Sequence, residues 1–295
     1  MSHASAIKHR SEMLRLARDF FTKRGLIETD VGALVKCPPN DSNIDCIATD
    51  QDQNYLHTSP EYAMKRLLSI GVGDCYFLGH VYRKNEQGHL HSPEFTMAEW
   101  YRVGFSFEKM IEETCDFISL FLGDLPVEVI SYRKAFSDFA GINYSTTSLH
   151  ELQKMTQSTW DRQTCLTYLL SHVIEPKLGK SRLTVLTDYP PDEAALACTK
   201  QKDGELVAER FEIYHEGVEL CNGYHELNDA IELRRRFEKK NEERQKENKE
   251  PYPIDEPFLA SLKTLPDCCG VALGFDRVLM LKQKSKSIQD VLPLA

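Results

Sequence analysis

The chain has 295 residues, enough for one large domain or two ordinary ones with a real hydrophobic core. Hydrophobic residues make up 41% and charged residues 27%, a globular balance, and no apolar run approaches the roughly 20 residues needed to span a bilayer. A net charge of −9, from 36 basic and 45 acidic residues, argues against a dominant nucleic-acid surface.

The N-terminal stretch mixes charges at helical spacing and lacks a signal peptide's apolar core, so a cytoplasmic protein with no membrane association is expected. Nine cysteines are scattered, adjacent only at Cys268–Cys269, with no C-x-x-C pair. That pattern suggests neither a disulfide framework nor a zinc site.

Residues 8–25 place Met13, Leu14, Ala17, Phe20 and Phe21 on one helical face and stop at Gly25. A strand-like run at 26–35 follows, then a Pro/Asn/Asp loop at 38–43. The stretch 59–73 reads as a helix with Ser59 at its N-cap, Pro60 at its first position and Glu61 in its first turn. Next come a hairpin over 81–102 and a helix over 106–122. Residues 123–205 hold helical stretches and a short strand at 182–190. Strand character returns at 210–227, a charged and solvated helix is expected over 228–249, and a glycine-bounded strand entering a helix closes the chain. Strands arriving as hairpins between helices predict an α+β fold, an antiparallel sheet flanked by helices, in a single domain over 1–295.

Three segments carry chemistry. In "VYRKNEQGHLHSPEFTMAEWYR" the period of two puts Phe95, Met97, Glu99 and Tyr101 on one strand face. A carboxylate beside a phenol on an apolar face needs a cation, either a Lys or Arg of the chain or a ligand's ammonium group. In "FEIYHEGVEL" a two-residue turn at His215–Glu216 would set Glu212 directly across from Glu219, a pair that a hard cation such as Mg²⁺ could bridge or that solvent could tolerate. In "GVALGFDR" the glycines Gly270 and Gly274 bracket a strand and allow a flat ligand to approach the backbone, with Arg277 in the following helix. The chain has no phosphate loop of the G-x-x-x-x-G-K-[ST] kind.

Together these segments resemble the catalytic core of class II aminoacyl-tRNA synthetases, in the lysyl branch. "YRKNEQGHLHSPEFTMAEWYR" looks like the second signature motif, "GVELCNGYHELNDA" like the lysyl-specific strand and "GVALGFDR" like the third motif; "RGLIETDVGAL" is a weaker likeness of the first. The core begins almost at residue 1, so a chain without the anticodon-reading domain is expected. In this, and in "TSPEYAMKRLL" and "PDCCGVALGFDR", the chain is similar to the stand-alone paralogues that ligate (R)-β-lysine to a lysine side chain of elongation factor P.

The resemblance implies ATP and Mg²⁺ as cofactors, lysine or (R)-β-lysine and elongation factor P as partners, a homodimer, and no tRNA substrate. It makes Arg83 and Arg277 the catalytic cations and puts ATP against Arg83, Lys84, Asn85, His91, Ser92, Glu219, Leu220, Gly274 and Arg277. The amino acid falls to Ser59, Pro60, Glu61, Glu99, Tyr101, Asn222, Glu226 and Ala272, and the metal to Glu212 and Glu219. Several residues depart from the family pattern: Gly32 in place of a proline in the first motif, Lys84–Asn85 for Asn–Glu, Ser92 for Asn and Ala272 for Gly. Two alternatives stay open, a truncated enzyme charging tRNA with α-lysine and a non-catalytic regulatory paralogue.

Overall fold

A computed structural model describes residues 3–41, 44–49 and 54–293, in two compact units. One comprises residues 1–123 and 225–295, the other 124–224.

The first unit opens with helix α1 (His3–Lys23), longer at its start than the sequence pattern predicts and ended at Gly25, whose φ of 78° suits glycine. Its apolar face delivers Phe20 and Phe21, and Phe21 stacks on Tyr76 at 4.3 Å and Phe117 at 5.0 Å. The run at 26–35 is not one strand. It divides into β1 (Ile27–Glu28) and β2 (Leu34–Val35), and β2 pairs with β3 (Tyr55–Leu56). The loop expected at 38–43 is described through Asp41; residues 42 and 43 lie outside the described residues. Helix α2 (Glu61–Ser69) begins one residue later than predicted, because Pro60 rather than Ser59 takes the cap position. The Ser59 hydroxyl still accepts the Glu61 N–H at 3.0 Å.

The hairpin expected over 81–102 starts earlier: its strands are β4 (Cys75–Tyr82) and β5 (Glu94–Val103), antiparallel with Tyr82 opposite Glu94. Ser106 then caps helix α3 (Phe107–Leu122).

The second unit contains β6 (Val127–Ser131), α4 (Tyr132–Ala135), α5 (Leu149–Thr156), α6 (Arg162–Leu169), β7 (Leu183–Tyr189), β8 (Thr199–Lys202), β9 (Glu205–His215) and β10 (Val218–His225). Its strands run in the order β10, β9, β7, β6, with β8 on β9, and all but the β6–β7 pair are antiparallel. Its core packs Tyr132, Phe136, Leu152, Leu166, Leu186 and Tyr214.

The β9–β10 turn corrects the sequence reading. The two turn residues are Glu216 and Gly217, both at positive φ (50° and 77°), the geometry that matches the right-handed twist of a two-residue hairpin. Val218 therefore faces His215, and Glu219 faces Tyr214. A bulge at Leu220 then shifts the register so that Glu212 faces Asn222, not Glu219.

The chain returns to the first unit with α7 (Ala230–Lys246), capped by Asp229, then α8 (Glu256–Ser261), β11 (Cys268–Gly274) and α9 (Phe275–Lys282). Helix α7 is less solvated than its charge suggests, since it buries Leu233, Phe237 and Arg244. Here the strand order is β1, β4, β5, β11, antiparallel except for β1–β4. All nine cysteines are free thiols, and among the described residues no helix is long and apolar enough to cross a membrane.

Candidate active site

In the first unit β5 carries two clusters along one face, about 13 Å apart at 3.3 Å per residue. Its Phe95 end meets the β4–β5 loop. The Arg83 guanidinium lies 5.1 Å from the Phe95 ring centre and 3.6 Å from Glu86, and its buried Nε has no hydrogen-bond partner among the described residues. Arg277, in the first turn of α9, reaches His91 Nε2 at 3.0 Å. Burial and the Arg277 charge lower the His91 pKa, so the neutral ring accepts that bond. The turn Ile288–Asp290 steadies the loop, with Ile288 N–H donating to the His89 carbonyl at 2.8 Å. Two arginines beside an exposed neutral histidine, one of them with a buried Nε that finds no partner among the described residues, suit an incoming polyanion.

Of the remaining loop residues, Lys84 and Asn85 are exposed and Ser92 is buried. Asn85 sits at φ 65°, a left-handed position that asparagine tolerates better than most residues, which accounts for its presence where the family pattern has a carboxylate. Gly274, opposite Met97, leaves ordinary contact distance to Arg277, 3.5 Å from a built Cβ to Cδ.

The second cluster is acidic. Glu99 accepts from the Ser59 hydroxyl and from the Tyr101 hydroxyl, each at 2.8 Å, and lies across from Ala272 on β11. Among the described residues no ion pair reaches Glu99. Glu61 and Glu226 instead share one cation, Lys65, whose Nζ is 2.7 Å from Glu61 and 2.5 Å from Glu226. Lys65 is fully buried and was missed in the sequence reading, although its i,i+4 spacing from Glu61 on α2 was a usable signal. Burial, then the Glu61 charge, pushes the Glu99 pKa up to about 8; burial likewise raises Glu226 to about 7. Tyr101 is pushed far up by burial and stays neutral.

Gly270 also differs from its reading as a place for a flat ligand. A Cβ there would strike the Tyr101 ring and sit 2.5 Å from Glu226 Oε1. The space the glycine leaves is filled by the pocket's own walls.

Next to Phe95 and Arg277 lies an unpredicted clasp. Buried Arg10 of α1 bonds to Asp276 and to the Thr96 hydroxyl, and Asp276 also accepts the Thr96 N–H at 2.7 Å. It ties α1 and β5 to the first turn of α9, next to Arg277.

The second unit holds Glu212, Glu219, Leu220 and Asn222. Glu212 is buried, with Arg210 at 2.6 Å on one oxygen and the Tyr189 and Tyr214 hydroxyls at 2.6 and 2.5 Å on the other. A carboxylate so neutralised does not fit the part of an open metal ligand. Glu219 is partly exposed, and its donor chemistry suits a hard cation only with phosphate oxygens added. No cluster of three or more metal-ligating side chains occurs among the described residues. Asn222 is held by Arg210 at 3.3 Å and donates to the Tyr224 hydroxyl at 3.0 Å; Leu220 is buried.

The family model for class II tRNA synthetases (D, K and N) matches residues 2–295. Curated relatives named elongation factor P–(R)-β-lysine ligase include those of Haemophilus influenzae (39% identical, over 97% of this chain and 93% of the relative) and Haemophilus ducreyi (40%, over 96% and 91%). The relative from Klebsiella pneumoniae is 39% identical over 96% of this chain and 92% of its own. The chain belongs to the class II tRNA-synthetase family and, within it, to the elongation factor P–(R)-β-lysine ligases.

Proposed function

We propose that this chain activates (R)-β-lysine with ATP and transfers it to a lysine side chain of elongation factor P. The observation that carries the reading is the buried acidic pocket of Glu61, Glu99, Tyr101 and Glu226 on the same unit as the Arg83–His91–Arg277 cluster. One set suits ammonium groups and the other suits phosphates.

In the first step a carboxylate oxygen of the amino acid attacks the α-phosphorus. The new P–O bond forms as the bond to the β-phosphate bridge breaks, and pyrophosphate leaves with the electron pair. Arg83 and Arg277 stabilise charge on the phosphoryl oxygens, so catalysis is positioning and electrostatics without a protein nucleophile. In the second step the neutral acceptor amine attacks the carbonyl carbon, the C–O bond to AMP breaks, and the amine's proton passes to solvent or a base.

Lys84, Asn85, Ser92 and Gly274 complete the proposed ATP contacts of the first unit, with Ser59, Pro60 and Ala272 around the amino acid. Mg²⁺ is a proposed companion of ATP. Of the two carboxylates, Glu219 is the better candidate to meet it, because Glu212 is already neutralised. A cytoplasmic homodimer is also proposed, supported by the exposure of Ile27 (52%) and Leu34 (56%) in the segment that resembles the first motif.

ATP–pyrophosphate exchange tests the first step. Exchange that depends on α- or β-lysine is expected; its absence with both would remove the enzymatic reading.

A further inference from the structure

We propose that Lys65 is a specificity-determining residue: one fixed positive charge among three buried carboxylates leaves a net charge of minus two, selecting amino acids that bring two ammonium groups. The inference rests on the pocket being the amino-acid site, and it deepens that reading by naming how the substrate class is counted.

Geometry carries it. Glu61, Glu99 and Glu226 are each at most 9% exposed, and Lys65 is wholly buried between Glu61 and Glu226. The Glu226 position is fixed by its N–H bond to the Cys268 carbonyl at 3.0 Å, and the Lys65 position by α2. Among the described residues Glu99 has only the neutral donors Ser59 and Tyr101.

The other titratable groups around the pocket do not alter the count. Tyr101, Cys75 and Cys268 all have raised pKa values, through burial first, and stay neutral. His225 acts on Glu226 as a positive charge, but its own partner is the Asp267 carboxylate at 2.7 Å, and that pair adds no net charge.

One lysine cannot neutralise three desolvated carboxylates. In the empty pocket protons make up the difference, as the raised values of Glu99 and Glu226 indicate. A diamino acid displaces those protons with its two ammonium groups. An amino acid with one ammonium leaves a buried carboxylate that must keep its proton, so it loses ground as pH rises.

The test compares lysine, (R)-β-lysine, norleucine and 6-aminohexanoate in ATP–pyrophosphate exchange between pH 6 and 9. The panel is wild type, Lys65→Met, Glu226→Gln and the double variant. For the wild type, the preference for diamino acids over either monoamine should widen with pH.

Lys65→Met should lower kcat/KM for lysine by about tenfold or more at pH 8, with a smaller loss at pH 6. Glu226→Gln should narrow the preference, and the double variant, again at minus two, should restore it. Strictly additive losses, or one pH-independent preference across all four proteins, would overturn the proposal.

A wild-type arm does not depend on variants folding. Calorimetry in two buffers of different ionisation enthalpy should find more protons released by lysine than by norleucine at pH 7. Equal release contradicts the inference. No exchange by wild type with any of the four amino acids would instead fail the enzymatic reading itself.

Discussion

Arg83 is held by an aromatic face and a loose contact to Glu86, with a buried Nε still lacking a partner among the described residues. Such a cation adds little to folding and a great deal to a phosphate. Arg83→Ala should lower pyrophosphate exchange by about 10²–10³-fold, with a melting temperature close to wild type. Gly270 behaves in the opposite way. Gly270→Ala would push Tyr101 and Glu226 apart, costing about 1–3 kcal/mol in denaturant unfolding and raising KM for lysine more than for ATP. The neighbouring Glu99 and Tyr101 were legible, because strand alternation alone puts them together. Lys65 was legible only in part: its i,i+4 spacing from Glu61 could be read, but its importance depends on Glu226, which lies 161 positions farther along the chain.

Among the elements, α1, α3 and the β4–β5 hairpin could be read from periodicity and caps. The β9–β10 register could not. It depends on left-handed backbone at Glu216, a residue type with no strong preference for it, and on a bulge at Leu220 that no local pattern announces. As a result the two carboxylates expected to oppose each other do not. The clasp from Arg10 to Asp276 was equally invisible, being a contact between helices at opposite ends of the sequence. Breaking a buried ion pair leaves an uncompensated charge, so Arg10→Ala should cost about 3–5 kcal/mol in urea unfolding. The accompanying loss of pyrophosphate exchange should be larger than that of a surface control such as Arg15→Ala, because Asp276 precedes Arg277.

For the whole molecule, the family and the α+β class followed from motifs spread over the full length, while the network within each site needed coordinates. The acidic pocket also has a global consequence. Glu99 and Glu226 titrate higher in the folded chain than the usual 4.5, so the fold holds protons that the unfolded chain has released. Stability must then fall as pH rises through that interval. His57 and His91 are shifted downward by burial, so they act below their usual 6.5 and do not oppose this fall above it. The melting temperature of the ligand-free protein should decline across that interval, and Glu99→Gln should flatten the decline. A rising melting temperature over that interval would contradict the assignment.

The most direct measurement is the intact mass of elongation factor P after incubation with this protein, ATP and (R)-β-lysine. The account predicts one β-lysyl addition on a lysine side chain, abolished by omitting ATP and strongly reduced by Arg83→Ala. Elongation factor P left unmodified while tRNA under the same conditions becomes charged with lysine would contradict it.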